Sequence, residues 1–150
     1  MAENDIFGKV FVCMRYWHPM TKKVIKAVID FRPDRIILLP LYPQYSTTTT
    51  ASSSKAWQVA MPRQYHTITT MICCYPTLDG FIDSILEQTR RCYSEASAFG
   101  KPRVLFSAHG LPIRVIEKGD PYQYQCERTA RAIVDRWSLS DLDWVNCYQS

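Results

Sequence analysis

The sequence lacks the short patterns that mark several large classes of protein. Its six cysteines form no C-x-x-C pair, which argues against the common zinc and dithiol redox sites. It contains no G-x-G-x-x-G, Walker A or G-x-S-x-G pattern, so dinucleotide, nucleotide and hydrolase functions lose support. It also has no run of Lys and Arg, and a net charge of +4 is too weak to indicate nucleic acid. No nucleic-acid partner is expected.

Long apolar runs are missing as well. No stretch approaches the roughly 18–20 residues that a membrane-spanning helix needs. The first five residues, Met-Ala-Glu-Asn-Asp, are not a basic region followed by an apolar run, so no signal peptide is expected. Most cysteines lie in apolar stretches, which predicts buried, reduced thiols. Together these features favour a cytoplasmic location, and the mildly basic charge suits acidic small molecules or anionic lipid.

Apolar, β-branched runs alternate with segments of helical periodicity. The runs are continuous, which is typical of strands buried on both faces of a parallel sheet. They lie at residues 9–14, 35–41, 67–73, 103–108 and 143–148, with helices predicted at about 19–31 and 46–61, from Leu78 onwards, and after Asp120-Pro121. This order predicts an α/β fold with doubly wound parallel sheets. A composition break at Tyr75-Pro76 predicts two half-domains, residues 1–75 and 76–150.

Unusual side chains follow the ends of the predicted strands. In open α/β sheets, ligands bind beyond the carboxyl ends of the strands. Aromatic, basic and hydroxyl residues crowd these ends, at residues 15–19, 40–46, 107–112 and 148–150. A site with flat apolar walls, one cation and one imidazole suits a large, flat, acidic ligand.

His109 is the strongest single candidate for chemistry. It directly follows a predicted strand, and the glycine and proline after it predict a tight turn that holds it out of the core. Imidazole takes up a proton near neutral pH and can ligate Fe²⁺. Alternatives stay open for the other candidates: a surface charge for Arg15, packing at the sheet edge for Tyr45, and helix capping for Ser46. A capped helix start is also compatible with anion binding.

The same residues carry a resemblance to a known family. The chain resembles the ferrochelatases at residues 14–19, 39–53, 105–112, 118–122 and 148–150, in the family's order and approximate spacing. The blocks Leu-Pro-Leu-Tyr-Pro-Gln-Tyr-Ser and Phe-Ser-Ala-His-Gly-Leu-Pro are specific, and chance agreement of both is negligible. The resemblance covers nearly the whole chain.

The resemblance implies a fold, a reaction and a set of site residues. Ferrochelatases have two Rossmann-like domains with the porphyrin in the cleft between them, and they insert Fe²⁺ into protoporphyrin IX to form haem. His109 matches the histidine of that cleft, assigned to pyrrole proton abstraction, to metal binding, or to both. Arg15 and Tyr45 match positions that line the porphyrin cleft, Ser46 lies beside them, and Tyr122 matches a residue near the catalytic face.

The departures from the family are equally specific. The resemblance implies that the family's first β-α units, and the part carrying the acidic residue that faces the histidine, have no counterpart in these 150 residues. We therefore expect an internal fragment with both halves incomplete, inactive by itself. Some members bind a [2Fe–2S] cluster through a cysteine at the position of Thr47, so no cluster and no tightly bound cofactor are expected. Fe²⁺ and porphyrin are the expected substrates.

Alternatives within and outside catalysis remain. One is a related tetrapyrrole chelatase acting on another metal, and the other is a porphyrin- or haem-binding module without catalytic activity. The resemblance also leaves open a peripheral membrane contact of the full-length enzyme.

Overall fold

Helices and short parallel strands alternate along the chain. The computed structural model describes residues 7–149. The elements are α1 (Thr21–Phe31), β1 (Ile36–Leu38), α2 (Ser52–Ala60), β2 (Thr69–Met71), α3 (Asp79–Ser97), β3 (Val104–His109), α4 (Ile113–Glu117), α5 (Tyr122–Trp137) and β4 (Trp144–Gln149). A π-helical turn (Thr47–Ala51) leads into α2. Strands β1 and β2 pair in parallel, as do β3 and β4. The predicted α/β class with parallel strands is confirmed.

The chain divides into two compact units. The first combines residues 1–40 with 48–72, and the second combines 41–47 with 73–150. Segment 41–47 therefore belongs with the unit that carries His109, although it precedes β2 in the sequence. The predicted half-domains, with their boundary at Tyr75-Pro76, stay a prediction.

The core of the first unit forms around the amphipathic helix α1. Three apolar residues of this helix, Val24, Ile25 and Val28, lie toward one side of it and are buried. They pack with buried residues of β1 and α2; the cluster consists of Val24, Ile25, Val28, Ile36, Trp57 and Met61. Helix α1 ends where Arg32 adopts a left-handed conformation with φ 53° and donates its N–H to the carbonyl of Ile29.

The core of the second unit lies between two helices and one face of a sheet. Ile82 and Leu86 of α3 and Ile133 of α5 are buried there, and Phe106 of β3 packs against them. Exposure alternates along β3, and Leu105 on the opposite face is 61% exposed. The expectation that this apolar run is buried on both faces is therefore wrong, because α3 and α5 cover only one face within the described residues.

The first predicted strand is also wrong. Between residues 9 and 14, the only ladder contact in the described chain is an isolated bridge from Met14 to Met20, with the Met14 N–H 2.9 Å from the carbonyl of Pro19. Phe11 instead packs edge-on against Phe31 at 5.9 Å between ring centroids. A β-branched run forms a strand only where a neighbouring strand completes its hydrogen bonds.

The helices predicted from periodicity are present. Their observed bounds are those of α1, of α2 with its π-helical turn, of α3 and of α5, while the short helix α4 was not predicted. All six cysteines are free, and each is exposed or half-buried, so the expectation of buried thiols is wrong. Within residues 7–149, no helix has the length and apolarity to cross a membrane.

Candidate functional site

His109 ends strand β3 on its exposed face. In the parallel register it lies opposite Gln149, the last residue of β4. The next residue, Gly110, donates its N–H to the Gln149 carbonyl at 2.7 Å, so the pairing extends one step past the strand. Among the described residues, none forms a hydrogen bond with the His109 ring. The imidazole is therefore available at the carboxyl end of the sheet, as the sequence predicts.

Tyr122 lies against the backbone of His109. It is the first residue of α5, and its side chain interacts with the thiol of Cys126 one turn further on. Burial raises the pKa of Tyr122 to about 12; Cys126 adds to this rise and a backbone hydrogen bond from His109 opposes it. Burial also raises the pKa of the Cys126 thiol. Both groups therefore stay protonated at neutral pH, and the structure brings Tyr122 and His109 together.

Tyr148 brings a carboxylate to the same strand end. Its hydroxyl donates to Oε1 of Glu127 at 3.3 Å. Burial raises the pKa of Tyr148 to about 12, and the charge of Glu127 adds to the rise. Sequence reasoning found no acid at the strand ends and missed Glu127. The available signal was its place on α5 directly after Cys126, which lies one helical turn from Tyr122.

A buried carboxylate connects three parts of the second unit. Asp120 is 6% exposed. Its Oδ2 accepts the hydroxyl of Ser46 at 3.0 Å and the N–H of Thr47 at 2.7 Å, together with the Thr47 hydroxyl. Its Oδ1 accepts the N–H of Tyr122 at 3.0 Å. We call Asp120, Ser46, Thr47 and the backbone of Tyr122 the Asp120 cluster.

The hydrogen bonds of the Asp120 cluster stabilise the ionised form of the Asp120 carboxyl group. Burial alone raises the pKa of Asp120, but the bonds from the Thr47 hydroxyl, the Thr47 and Tyr122 amides and the Ser46 hydroxyl outweigh it. The net pKa of Asp120 lies below its ordinary value. Hydrogen bonds donated to the charged form favour that form.

Helix α5 also holds the segment that leads into the cluster. The N–H of Tyr45 donates to Oε1 of Gln125 at 2.7 Å. The side-chain amide of Gln44 donates to Oγ1 of Thr129 at 2.9 Å. Gln125 and Thr129 are one turn apart and share a face of α5. Residues 44–47 thus lie along the first half of α5, although more than seventy residues separate the two segments, 74 between Ser46 and Asp120.

Ser46 occupies a different environment from the one that a ligand contact suggests. It is 1% exposed, and its hydroxyl donates to Asp120. Thr47, the first residue of the π-helical turn, gives its N–H to the same carboxylate. The sequence is compatible with a ligand anion at this helix start, and in the structure Asp120 accepts the hydrogen bonds of Ser46 and Thr47 there. The role of Ser46 in porphyrin binding stays a prediction.

Arg15 belongs to the first unit, whereas the other four predicted site residues belong to the second. Its Nε donates to Oγ of Ser52 at 3.0 Å, and its guanidinium lies 4.6 Å from the ring centroid of Tyr16. No described residue accepts a hydrogen bond from its two Nη groups. The bond from Nε to Ser52 orients the guanidinium, and its two Nη groups can donate to a ligand. Two such donors suit a carboxylate. Its contact with porphyrin stays a prediction, as does that of Tyr45.

Metal-ligating side chains are sparse. Within the part of the chain that the structure describes, no three His, Cys, Asp or Glu residues are grouped to hold a metal ion. The predicted role of His109 as a metal ligand therefore concerns a single imidazole.

Comparison with known proteins decides the family. The profile of the family described as Ferrochelatase matches residues 1–150. The chain belongs to the ferrochelatase family. It is 52% identical over 144 residues to the ferrochelatase of Wolbachia sp. subsp. Brugia malayi (strain TRS), covering 95% of this chain and 42% of that protein. It is 45% identical to the Pelagibacter ubique ferrochelatase, covering 99% and 43%.

Similar figures hold for a third relative. The chain is 44% identical over 150 residues to the ferrochelatase of Caulobacter vibrioides (strain NA1000 / CB15N), covering 100% of this chain and 42% of that protein. The resemblance inferred from the sequence blocks is thereby confirmed. The chain spans less than half the length of these relatives.

Proposed function

We propose that the chain supplies the histidine end of a ferrochelatase active site, which inserts Fe²⁺ into protoporphyrin IX to form haem. The relatives named above are ferrochelatases, and membership of their family is the first support. The observation that carries the proposal is the exposed His109 imidazole at the carboxyl end of β3, beside Tyr122.

The proton chemistry follows from the groups at this strand end. Inserting Fe²⁺ releases two pyrrole protons, so a nearby group must accept at least one. Tyr122 and Tyr148 have pKa values raised to about 12 and remain proton donors. Asp120 is ionised but buried among its four donors. Oε1 of Glu127 already accepts hydrogen bonds from Tyr148 and Gln123. Imidazole is the side chain suited to accept a proton near neutral pH, so we assign His109 as the base, as the escort of Fe²⁺, or as both.

Binding of the porphyrin is assigned to several residues. Arg15, oriented by Ser52, pairs with a propionate in this proposal. Tyr45 and Tyr122 contribute flat apolar contacts. Strain in the bound macrocycle, which points a nitrogen lone pair at the metal, is held by such remote contacts.

No tightly bound cofactor forms part of the proposal. Thr47 stands at the position where some members have a cluster-ligating cysteine, and here its hydroxyl donates to Asp120. Analysis for acid-labile sulfide tests this expectation. A cytoplasmic location, also predicted from the sequence, is tested by cell fractionation, and flotation with vesicles tests peripheral membrane contact.

The decisive experiment uses a chimera. Residues 1–150 replace the matching segment of the Caulobacter vibrioides (strain NA1000 / CB15N) ferrochelatase, a relative whose match covers 100% of the chain. Haem formation from Fe²⁺ and protoporphyrin is then measured. In the chimera, His109→Ala should reduce kcat by a factor of about 10² to 10⁴, the usual contribution of a general base. Porphyrin binding should persist, because the proposed flat contacts come from other residues.

A second histidine provides the control. The ring of His66 in the first unit bonds the carbonyl of Met61, so His66→Ala changes a histidine outside the proposed site. Its turnover should match that of the unsubstituted chimera. Near-normal turnover in His109→Ala would reject the assignment, and insertion of Co²⁺ but not Fe²⁺ would favour the other chelatase. The 150-residue chain alone should bind porphyrin without turnover.

A further inference from the structure

We propose that Asp120 is a positioning residue of this site, whose buried carboxylate fixes Tyr45 and Tyr122 in the places from which they contact the porphyrin. The inference rests on the proposed function and extends it to a residue that would touch neither the porphyrin nor the metal.

The carboxylate of Asp120 accepts hydrogen bonds from three residues. Both oxygens of Asp120 are used: Oδ2 by Ser46 and Thr47, and Oδ1 by the N–H of Tyr122. Hydrogen bonds to an ionised acceptor are roughly twice as strong as neutral ones. A single buried group therefore fixes two backbone positions that lie 75 residues apart, Thr47 and Tyr122.

The two backbone positions held by Asp120 adjoin Tyr45 and His109. Thr47 follows Tyr45 by two residues, and the Tyr45 N–H is held separately by Gln125. Tyr122 starts α5 and its hydroxyl region meets the backbone of His109. Asp120 thus connects the segment carrying Tyr45 to the residue that adjoins His109, within one compact unit.

An asparagine side chain cannot accept all the hydrogen bonds that the Asp120 carboxylate accepts. Asparagine has one acceptor oxygen and one NH₂ donor. If its oxygen faces Thr47, the NH₂ faces the N–H of Tyr122, and the reverse orientation places it against the N–H of Thr47. Either way a backbone donor meets another donor, although the two side chains have nearly the same shape. Asp120→Asn is therefore a sharp test of the charge rather than of packing.

Two readouts test the proposal. In the 150-residue chain, Asp120→Asn should speed amide hydrogen exchange at Thr47 or Tyr122 by about tenfold or more, the factor expected for loss of one ordinary hydrogen bond. In the chimera, the same substitution should raise KM for porphyrin about tenfold while kcat changes much less, because binding contacts are displaced and the base is not. Asp135→Asn, on the exposed face of α5, is the matched control and should change neither.

Each result has a defined meaning. Unchanged exchange in Asp120→Asn would overturn the inference, whatever the chimera does. Faster exchange with an unchanged KM would overturn the positioning role. An unsubstituted chimera that neither binds nor metallates porphyrin would reject the proposed function and this inference with it, while exchange would still report on the cluster itself.

A milder variant covers the case in which Asp120→Asn does not fold. Ser46→Ala removes one hydroxyl donor and keeps the charge and both backbone bonds. It should raise KM for porphyrin by less than about tenfold with kcat unchanged, and an unchanged KM would count against the positioning role. Where Asp120→Asn does fold, the two effects should not add in the double variant, because the residues share one bond. Full additivity would count against the cluster.

Discussion

The segment around Arg15 and the segment around Ser46 both belong to the blocks that mark the family, yet their side chains are held in opposite ways. Tyr16 and Trp17 beside Arg15 are 70% and 71% exposed, and Arg15 itself is half-buried with one hydroxyl partner and one ring contact. Ser46 is 1% exposed, and its partner is a buried carboxylate with three further donors.

The difference separates two kinds of functional residue. Among the described residues, none accepts a hydrogen bond from the Nη groups of Arg15, so these donors are available to a ligand or to solvent. The acceptors of Asp120 are used within the protein, so this carboxylate organises the fold of the second unit. Exposed charge contacts contribute about 0–1 kcal/mol. Hydrogen bonds to a buried charge contribute about 1.5–3 kcal/mol. Loss of the bonds to Asp120 should therefore affect stability more than loss of the Arg15 contacts.

The largest effect on stability should follow substitution of Asp120. At pH 7, Asp120→Asn should lower the free energy of unfolding of the second unit by about 3 kcal/mol, since donors lose a charged acceptor. The folded pKa of Asp120 is depressed. Its stabilisation is therefore present above the unfolded carboxyl pKa of about 3.9 and is lost as the pH falls through the folded value. Residue-resolved amide exchange from pH 7 to pH 3 measures this.

The difference in free energy of unfolding between the unsubstituted chain and Asp120→Asn should shrink as the pH falls. Once Asp120 is protonated, the unsubstituted chain resembles the asparagine variant. Asp135→Asn, an exposed i,i+4 partner of Arg131, should stay within about 0.5 kcal/mol of the unsubstituted chain throughout. A gap that persists unchanged at pH 3 would show that charge is not its cause.

The second effect should appear at Arg15, in binding and not in stability. In the chimera, Arg15→Leu should raise KM for porphyrin by a factor equivalent to about 1.5–3 kcal/mol with little change in kcat, because a propionate contact is largely uniform binding. The free energy of unfolding of the first unit should change by less than about 1 kcal/mol. Kinetics and exchange on the same variant separate the two quantities.

Esterified porphyrin sharpens this result. The diester carries no carboxylate, so its KM should be similar in the unsubstituted chimera and in Arg15→Leu. Arg15→Lys keeps the charge but loses the planar group that can bind Ser52 and a carboxylate at the same time. Its KM for free-acid porphyrin should lie between those of the unsubstituted chimera and Arg15→Leu. Equal discrimination between acid and ester in all three proteins would show that Arg15 binds no propionate.

The fold was predictable where the pattern is local. Helices α1, α3 and α5 place apolar residues on one face, and burial of Ile82, Leu86 and Ile133 follows from that spacing. Strands depend on partners that the local pattern does not name. Residues 9–14 therefore looked like a strand and form none, and β3 looked buried on both faces and is covered on one.

The candidate site shows the same limit. The place of His109 at the end of a strand was predictable because the apolar run before it and its sequence block coincide. The partnership of Asp120 with Ser46 and Thr47 was not, since 74 and 73 residues separate the pairs and each segment has a sufficient local explanation as a helix start. Glu127 was missed because its partner, the Tyr148 hydroxyl, lies on another element, 21 residues away.

The smallest effect tests whether the backbone before Asp120 matters as much as its side chain. Gly119 has a φ of 90° and ends the turn after α4, where its N–H bonds the Ile116 carbonyl at 2.8 Å. Gly80 lies within α3, and an added Cβ would meet no atom within 4 Å at either glycine. Gly119→Ala should therefore cost about 1–2 kcal/mol through conformation alone, whereas Gly80→Ala should stabilise α3 by up to about 1 kcal/mol. Neither added methyl group meets a neighbour, so a steric clash cannot explain a difference between the two variants. Changes of opposite sign in the free energy of unfolding, measured in urea, would therefore show the cost of the positive φ at Gly119. The same sign for both would show that the positive φ at Gly119 places no such demand on the turn before Asp120.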